Sequence, residues 1–155
     1  CLFGIRRKPI WLSDCKGLGV VRKVQLVDHK AKPINTSAAL NKGIATFLSA
    51  YHETESPEFN CYSFANLVAG IAPHPSKDLR QYWHTESLEE AAAGDTVFLL
   101  RDRPGMDVNF KHAAIKLNEE LYISVYGGGG LLTISTLAHM IKDFEAEYAV
   151  LAIPK

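Results

Sequence analysis

The stretch Lys111-His112-Ala113-Ala114-Ile115-Lys116-Leu117-Asn118-Glu119-Glu120-Leu121-Tyr122-Ile123-Ser124-Val125-Tyr126 alternates apolar and polar residues on either side of a short polar connection. Strand side chains point to opposite faces with period two, so His112, Ala114 and Lys116 share one face of the first run, and Ala113, Ile115 and Leu117 share the other. In the second run Leu121, Ile123 and Val125 form the apolar face, and Tyr122, Ser124 and Tyr126 the polar one. Laying apolar face on apolar face demands the pairs 117–121, 115–123 and 113–125, with Asn118-Glu119-Glu120 as the hairpin loop. This register sets His112 opposite Tyr126, with Ser124 diagonal to it.

Working outward, Gly94-Asp95 punctuates the chain before a strand at 96–101, and 73–93 is a connection holding Pro73, Pro75 and Trp83, with a helical turn begun by Ser87-Leu88-Glu89-Glu90. Downstream of the hairpin, Leu131 to Ile134 is a strand, Ser135 caps a helix running to about Phe144, and Tyr148 to Ile153 is the last strand. Upstream, Asn35-Thr36-Ser37 offers an N-cap to a helix over 37–52, whose Ala38, Leu40, Ile44, Phe47, Leu48 and Tyr51 recur at helical spacing. A second helix opens at Cys61 behind the capping residue Asn60 and stops at Gly70. Ile10 to Asp28 reads as one or two short strands closed by Lys32-Pro33. Helices followed by antiparallel strands define an α+β fold.

At 155 residues, 47% apolar and 22% charged, the chain is long enough for one domain with a buried core and too apolar for disorder. No apolar run approaches the roughly 18 residues that span a bilayer, and a soluble monomer is expected. Seventeen basic and seventeen acidic side chains cancel, which argues against a dedicated nucleic-acid binder. The neutrality hides an asymmetry: residues 1–32 hold eight basic side chains against Asp14 and Asp28, a net +6, and the other 123 residues carry −6. Residues 1–36 are therefore a basic N-terminal extension, either integral to the fold or directed at an anionic partner, ahead of a domain spanning 37–155. Three cysteines, Cys1, Cys15 and Cys61, are too few for a disulfide scaffold, and no function is assigned to Cys1.

A cysteine in the first turn of a helix meets unpaired backbone N–H groups and the positive end of the helix dipole, which lowers a thiol pKa toward a usable thiolate. Such a nucleophile needs a base. Of His29, His52, His74, His84, His112 and His139, only His112 lies within an expected strand, which makes it the candidate. Gly127 to Gly130 lacks the Lys-Ser/Thr of a phosphate loop, and no zinc motif is present. No cofactor or metal is expected.

Asn60-Cys61-Tyr62-Ser63-Phe64, then Gly94-Asp95-Thr96-Val97-Phe98, then Lys111 to Leu117 leading into Leu121-Tyr122-Ile123 resembles the NlpC/P60 family of papain-like cysteine amidases, with the CHAP amidases a close second. The likeness runs from about residue 57 to 153, and Cys61 and His112 stand 51 positions apart, close to the about fifty between nucleophile and base in these families. It implies N-terminal helices carrying the cysteine, packed on a central antiparallel sheet carrying the histidine. It also implies that Cys61 attacks an amide carbonyl while His112 shuttles the proton, with Ser124 as the third, orienting residue. Asn109, Asn118 and Asp107 are reserves for that last role. Backbone N–H groups beside Cys61 are the expected oxyanion hole, and Asn60, Tyr62, Ser63 and Tyr126 are expected to touch substrate.

The implied substrate is a peptidoglycan stem peptide, which would place the protein in a secreted or periplasmic setting. The same apparatus serves a deamidase, transglutaminase or acyltransferase acting on a protein, as in a bacterial effector working in a host or bacterial cytoplasm. Two departures favour a different reading, an inactive papain-like binding module. Tyr62-Ser63 stands where the family places a small pair, and no carboxylate backs the histidine.

Overall fold

A computed structural model of the chain describes residues 7–10, 24–27, 36–54, 60–71, 81–105, 108–126 and 132–155. Its elements are β1 (Arg7–Ile10), β2 (Val24–Val27), α1 (Ala38–Thr54), α2 (Cys61–Val68), β3 (Trp83–Glu86), β4 (Thr96–Arg101), β5 (Asn109–Lys116), β6 (Leu121–Val125), β7 (Leu132–Thr136), α3 (Leu137–Asp143) and β8 (Tyr148–Pro154), with a 3-10 turn at Leu88–Glu90. The expected α+β class holds.

One sheet runs in the order β1-β2-β7-β6-β5-β4-β8-β3. From β7 to β3, six strands pair antiparallel throughout. β2 joins β7 in parallel, so the basic N-terminal segment contributes two strands to the same sheet. The hairpin adopts the register that its apolar faces demand: Ile115 pairs with Ile123, Lys116 with Tyr122, and Leu117 N–H donates to Leu121 C=O. Asn118 Oδ1 closes the loop by accepting from the backbone N–H groups of Glu120 (2.9 Å) and Leu121 (2.8 Å).

Both faces of the sheet are covered. Leu40 and Ile44 of α1 and Phe64 of α2 pack with Ile115, Ile123, Val125, Leu132 and Ile134. Beside this cluster Cys61 and Ala65 of α2 pack with Trp83, Phe98, Leu100, Ala113 and Ala152. Met140, with Leu137, Ile141 and Phe144, covers the other face over Val97, Leu99, Ala114, Tyr122 and Leu151. Gly70, at φ +75°, ends α2, and Gly94, at φ +95°, turns the chain into β4; both conformations strain any residue with a Cβ.

Two local expectations are corrected. Residues 83–86 form a strand rather than part of a connection, because Trp83 turns inward onto the sheet and the backbone pairs with β8. The cap of α3 is Thr136, whose hydroxyl accepts from His139 N–H, whereas Ser135 is the penultimate residue of β7 and fully buried. Strand parity sets this, since Ser135 pairs with the inward-facing Tyr122.

Candidate functional site

Cys61 opens α2 as the capping pattern requires. Asn60 Oδ1 accepts from Tyr62 N–H (2.9 Å) and Ser63 N–H (3.0 Å), and Asn60 C=O accepts from Phe64 N–H. The cap thereby occupies two of the N–H groups that an oxyanion hole at this helix end would draw on.

The thiol itself is enclosed. Cys61 is 7% exposed, and burial pushes its pKa up to about 11, against a smaller downward pull from the backbone of Ala113, Tyr62 and Cys61. Contrary to the depressed pKa expected at a helix end, desolvation of the charged form outweighs the backbone dipoles. Tyr62 packs edge-on to Phe98, with ring centroids 6.0 Å apart, and its buried hydroxyl has no hydrogen-bond partner among the described residues. Burial first, and then the neighbouring Cys61, raise the Tyr62 pKa.

His112 is also fully buried, in a different layer. It pairs across the sheet with Leu99 and shares its strand face with Ala114, whereas Cys61 packs on the face of Ala113. Its ring stacks on Phe144 at 3.5 Å and 9°, meets Tyr126 edge-on at 5.6 Å, and places Nε2 2.7 Å from Ser124 Oγ. Nδ1 has no partner among the described residues, and burial lowers the pKa to about 3. Tyr126 in turn donates its hydroxyl to Asp143 (3.1 Å). The structure thus brings together His112, Ser124 and Tyr126, the three that the hairpin register makes neighbours, and groups Cys61 with Asn60, Tyr62 and Ser63. It does not bring the two groups together: the sheet lies between sulfur and imidazole.

The remaining candidates take ordinary places. Asn118 holds the hairpin loop, Asn109 begins β5 opposite Arg101, and Asp107 and Gly127 to Gly130 lie outside the described residues. His84 is exposed and pairs with Glu86 at 3.5 Å, His139 meets the Thr136 hydroxyl at 3.0 Å, and His29, His74 and the side chain of His52 lie outside the described residues. Among the described residues no three His, Cys, Asp or Glu side chains gather to hold a metal, and no helix is long and apolar enough to cross a membrane.

A feature missed in the sequence lies on the Cys61 side of the sheet. A cavity of about 490 Å³ is walled by Trp83, Phe98, Leu100, Phe110, Tyr148 and Val150, with His84, Thr85, Val108 and Lys155 around it. Phe98 stands at the centre of the wall, edge-on to Trp83 (5.4 Å) and Phe110 (5.6 Å), and Trp83 Nε1 is fixed by Asn66 Oδ1 of α2 at 2.9 Å. Cys61 belongs to the same apolar cluster but does not line the cavity. The signal was weak in the sequence. Phe98, Phe110 and Tyr148 sit on three separate strands, and Phe110 reaches their face only because the β4–β5 ladder shifts by one residue between Leu99 and Leu100.

No protein-family profile, curated protein or solved structure matches the chain.

Proposed function

We propose that this domain is a papain-like scaffold of the NlpC/P60 type that acts as a binding module, holding a bulky apolar group of its partner in the aromatic cavity. The helix-borne Cys61, the Gly94-Asp95 turn before β4 and the His112 strand follow one another in the NlpC/P60 order, while the sheet between Cys61 and His112 departs from that type. The observation that carries the functional part is the separation of Cys61 and His112 onto opposite faces of one sheet, with the cavity opening on the cysteine's side. A thiol with a pKa of about 11 and, among the described residues, no imidazole beside it is a poor nucleophile, since attack needs the thiolate and a base within hydrogen-bond reach. A half-open cavity walled by aromatic rings, with His84, Thr85, Tyr148 and Lys155 among its lining, suits a bulky apolar group that carries polar neighbours.

Two measurements test this. Iodoacetamide should label Cys61 near neutral pH roughly a hundredfold more slowly in the folded chain than in the denatured chain, as two pH units of suppressed ionisation require. Indole should bind wild type by isothermal titration calorimetry and bind Val108→Trp, which adds bulk to the cavity lining, at least tenfold more weakly. Preferential labelling of Cys61 over Cys15, together with new amines released from peptidoglycan or a glutamine-containing protein by wild type but not by Cys61→Ala, would restore the amide-hydrolase reading.

A further inference from the structure

We infer that β3 is a docking edge, on which an extended, positively charged peptide segment of a partner protein adds as a further strand and places a large apolar side chain in the aromatic cavity. This deepens the binding-module reading and rests on it. The inference comes from the backbone. Lys155 N–H donates to Tyr82 C=O (2.9 Å), which makes 82/155 a hydrogen-bonded pair of the β3–β8 ladder. Alternation along an antiparallel pair then makes 84/153 and 86/151 hydrogen-bonded pairs and leaves 83/154 and 85/152 as non-bonded ones. Pro154, which has no N–H, stands opposite Trp83, as this phase requires.

The N–H and C=O groups of Trp83 and Thr85 therefore point away from β8. Among the described residues no strand lies beyond β3 to receive them. Unpaired edge groups of this kind are a template for an added strand. The geometry couples that edge to the cavity, because Trp83 and Thr85, whose outward backbone groups have no strand partner among the described residues, are by parity also the β3 residues on the Phe98 face. A residue of the incoming strand directly opposite either of them shares its face and is directed toward the cavity.

Charge selects the sequence around that residue. Glu86 at the end of β3 and Glu89 and Glu90 in the following turn are all exposed, and Lys155 stands at the opposite end, beside Tyr82 and the cavity. Lysine or arginine flanking the apolar residue complements the Glu86 end, and glutamate there meets like charge.

Fluorescently labelled nonapeptides with Phe, Leu or Ser at the centre, flanked by Lys or by Glu, supply the probes, read by anisotropy on the full chain beside the indole titration. Lys-flanked Phe and Leu peptides should bind at least tenfold more tightly than their Ser-centred or Glu-flanked counterparts. Thr85→Pro removes an outward N–H that β8 does not use and should weaken the Phe peptide at least tenfold. A second measurement leaves the protein unchanged: N-methylating alternate amides of the Phe peptide should abolish binding in one phase and spare it in the other. Equal binding by both methylated phases and the parent peptide overturns strand addition, as does indole binding without any peptide binding, and both leave the cavity reading in place. Failure of indole and peptides alike removes the cavity reading and the inference built on it.

Discussion

His112 and Cys61 are both buried titratable groups, and burial moves them in opposite directions, to about 3 and about 11. The neutral form is favoured in each case because burial penalises the charged one and no opposite charge among the described residues repays it. For His112 the folded pKa lies below the ordinary 6.5, so as pH falls through 6.5 the unfolded chain takes up a proton that the folded chain refuses. Its contribution to stability is whole above pH 6.5 and drains away toward pH 3, on the order of a few kcal/mol. For Cys61 the folded pKa lies above the ordinary 9.0, so stability is whole below pH 9 and falls as the unfolded thiol ionises, toward pH 11. Denaturant unfolding across pH should show a plateau between about pH 6.5 and 9. His112→Gln retains a partner for Ser124 Oγ but cannot titrate, and should flatten the acid limb. An acid limb of unchanged slope in that variant would show that other groups cause it.

The contact between α1 and α2 turns on one glycine. A Cβ at Gly43 would overlap Val68 Cγ2, so the two helices approach to a distance that only glycine permits. Gly43→Ala would gain about 1 kcal/mol of helix propensity and lose about 1–3 kcal/mol to overpacking against a short branched side chain. The expected net effect is destabilisation of about 1 kcal/mol, read from the urea midpoint. A stabilised variant would mean that α1 shifts freely on α2. The matter reaches beyond stability, since α2 carries Asn66, which fixes the Trp83 indole in the cavity wall, and a displaced α2 should weaken indole binding as well.

For the whole molecule, the sheet is continuous from the basic segment at one end to β3 at the other. β2 covers the edge of β7, so a chain beginning at residue 33 would expose that edge and lose +6 of charge from an acidic body. Lower thermal stability and concentration-dependent self-association are expected, measured by calorimetry and light scattering, because an uncovered strand edge recruits other chains. Unchanged behaviour would assign the segment a role other than closing the sheet. Much of this architecture could be read in the residues. Local rules settled the helix starts at Ser37 and Cys61 and the Gly94-Asp95 turn, and apolar periodicity settled the 115–123 register and with it the meeting of His112 and Ser124. Those features depend on neighbours in sequence or on one hairpin, and their physics is short-ranged. The separation of Cys61 from His112 depends on which face of the sheet α2 covers, and alternation within a strand carries no information about which helix lies above it. The cavity likewise needs β4, β5, β8 and β3 side by side and a one-residue ladder shift, which arise from packing between segments up to about seventy positions apart.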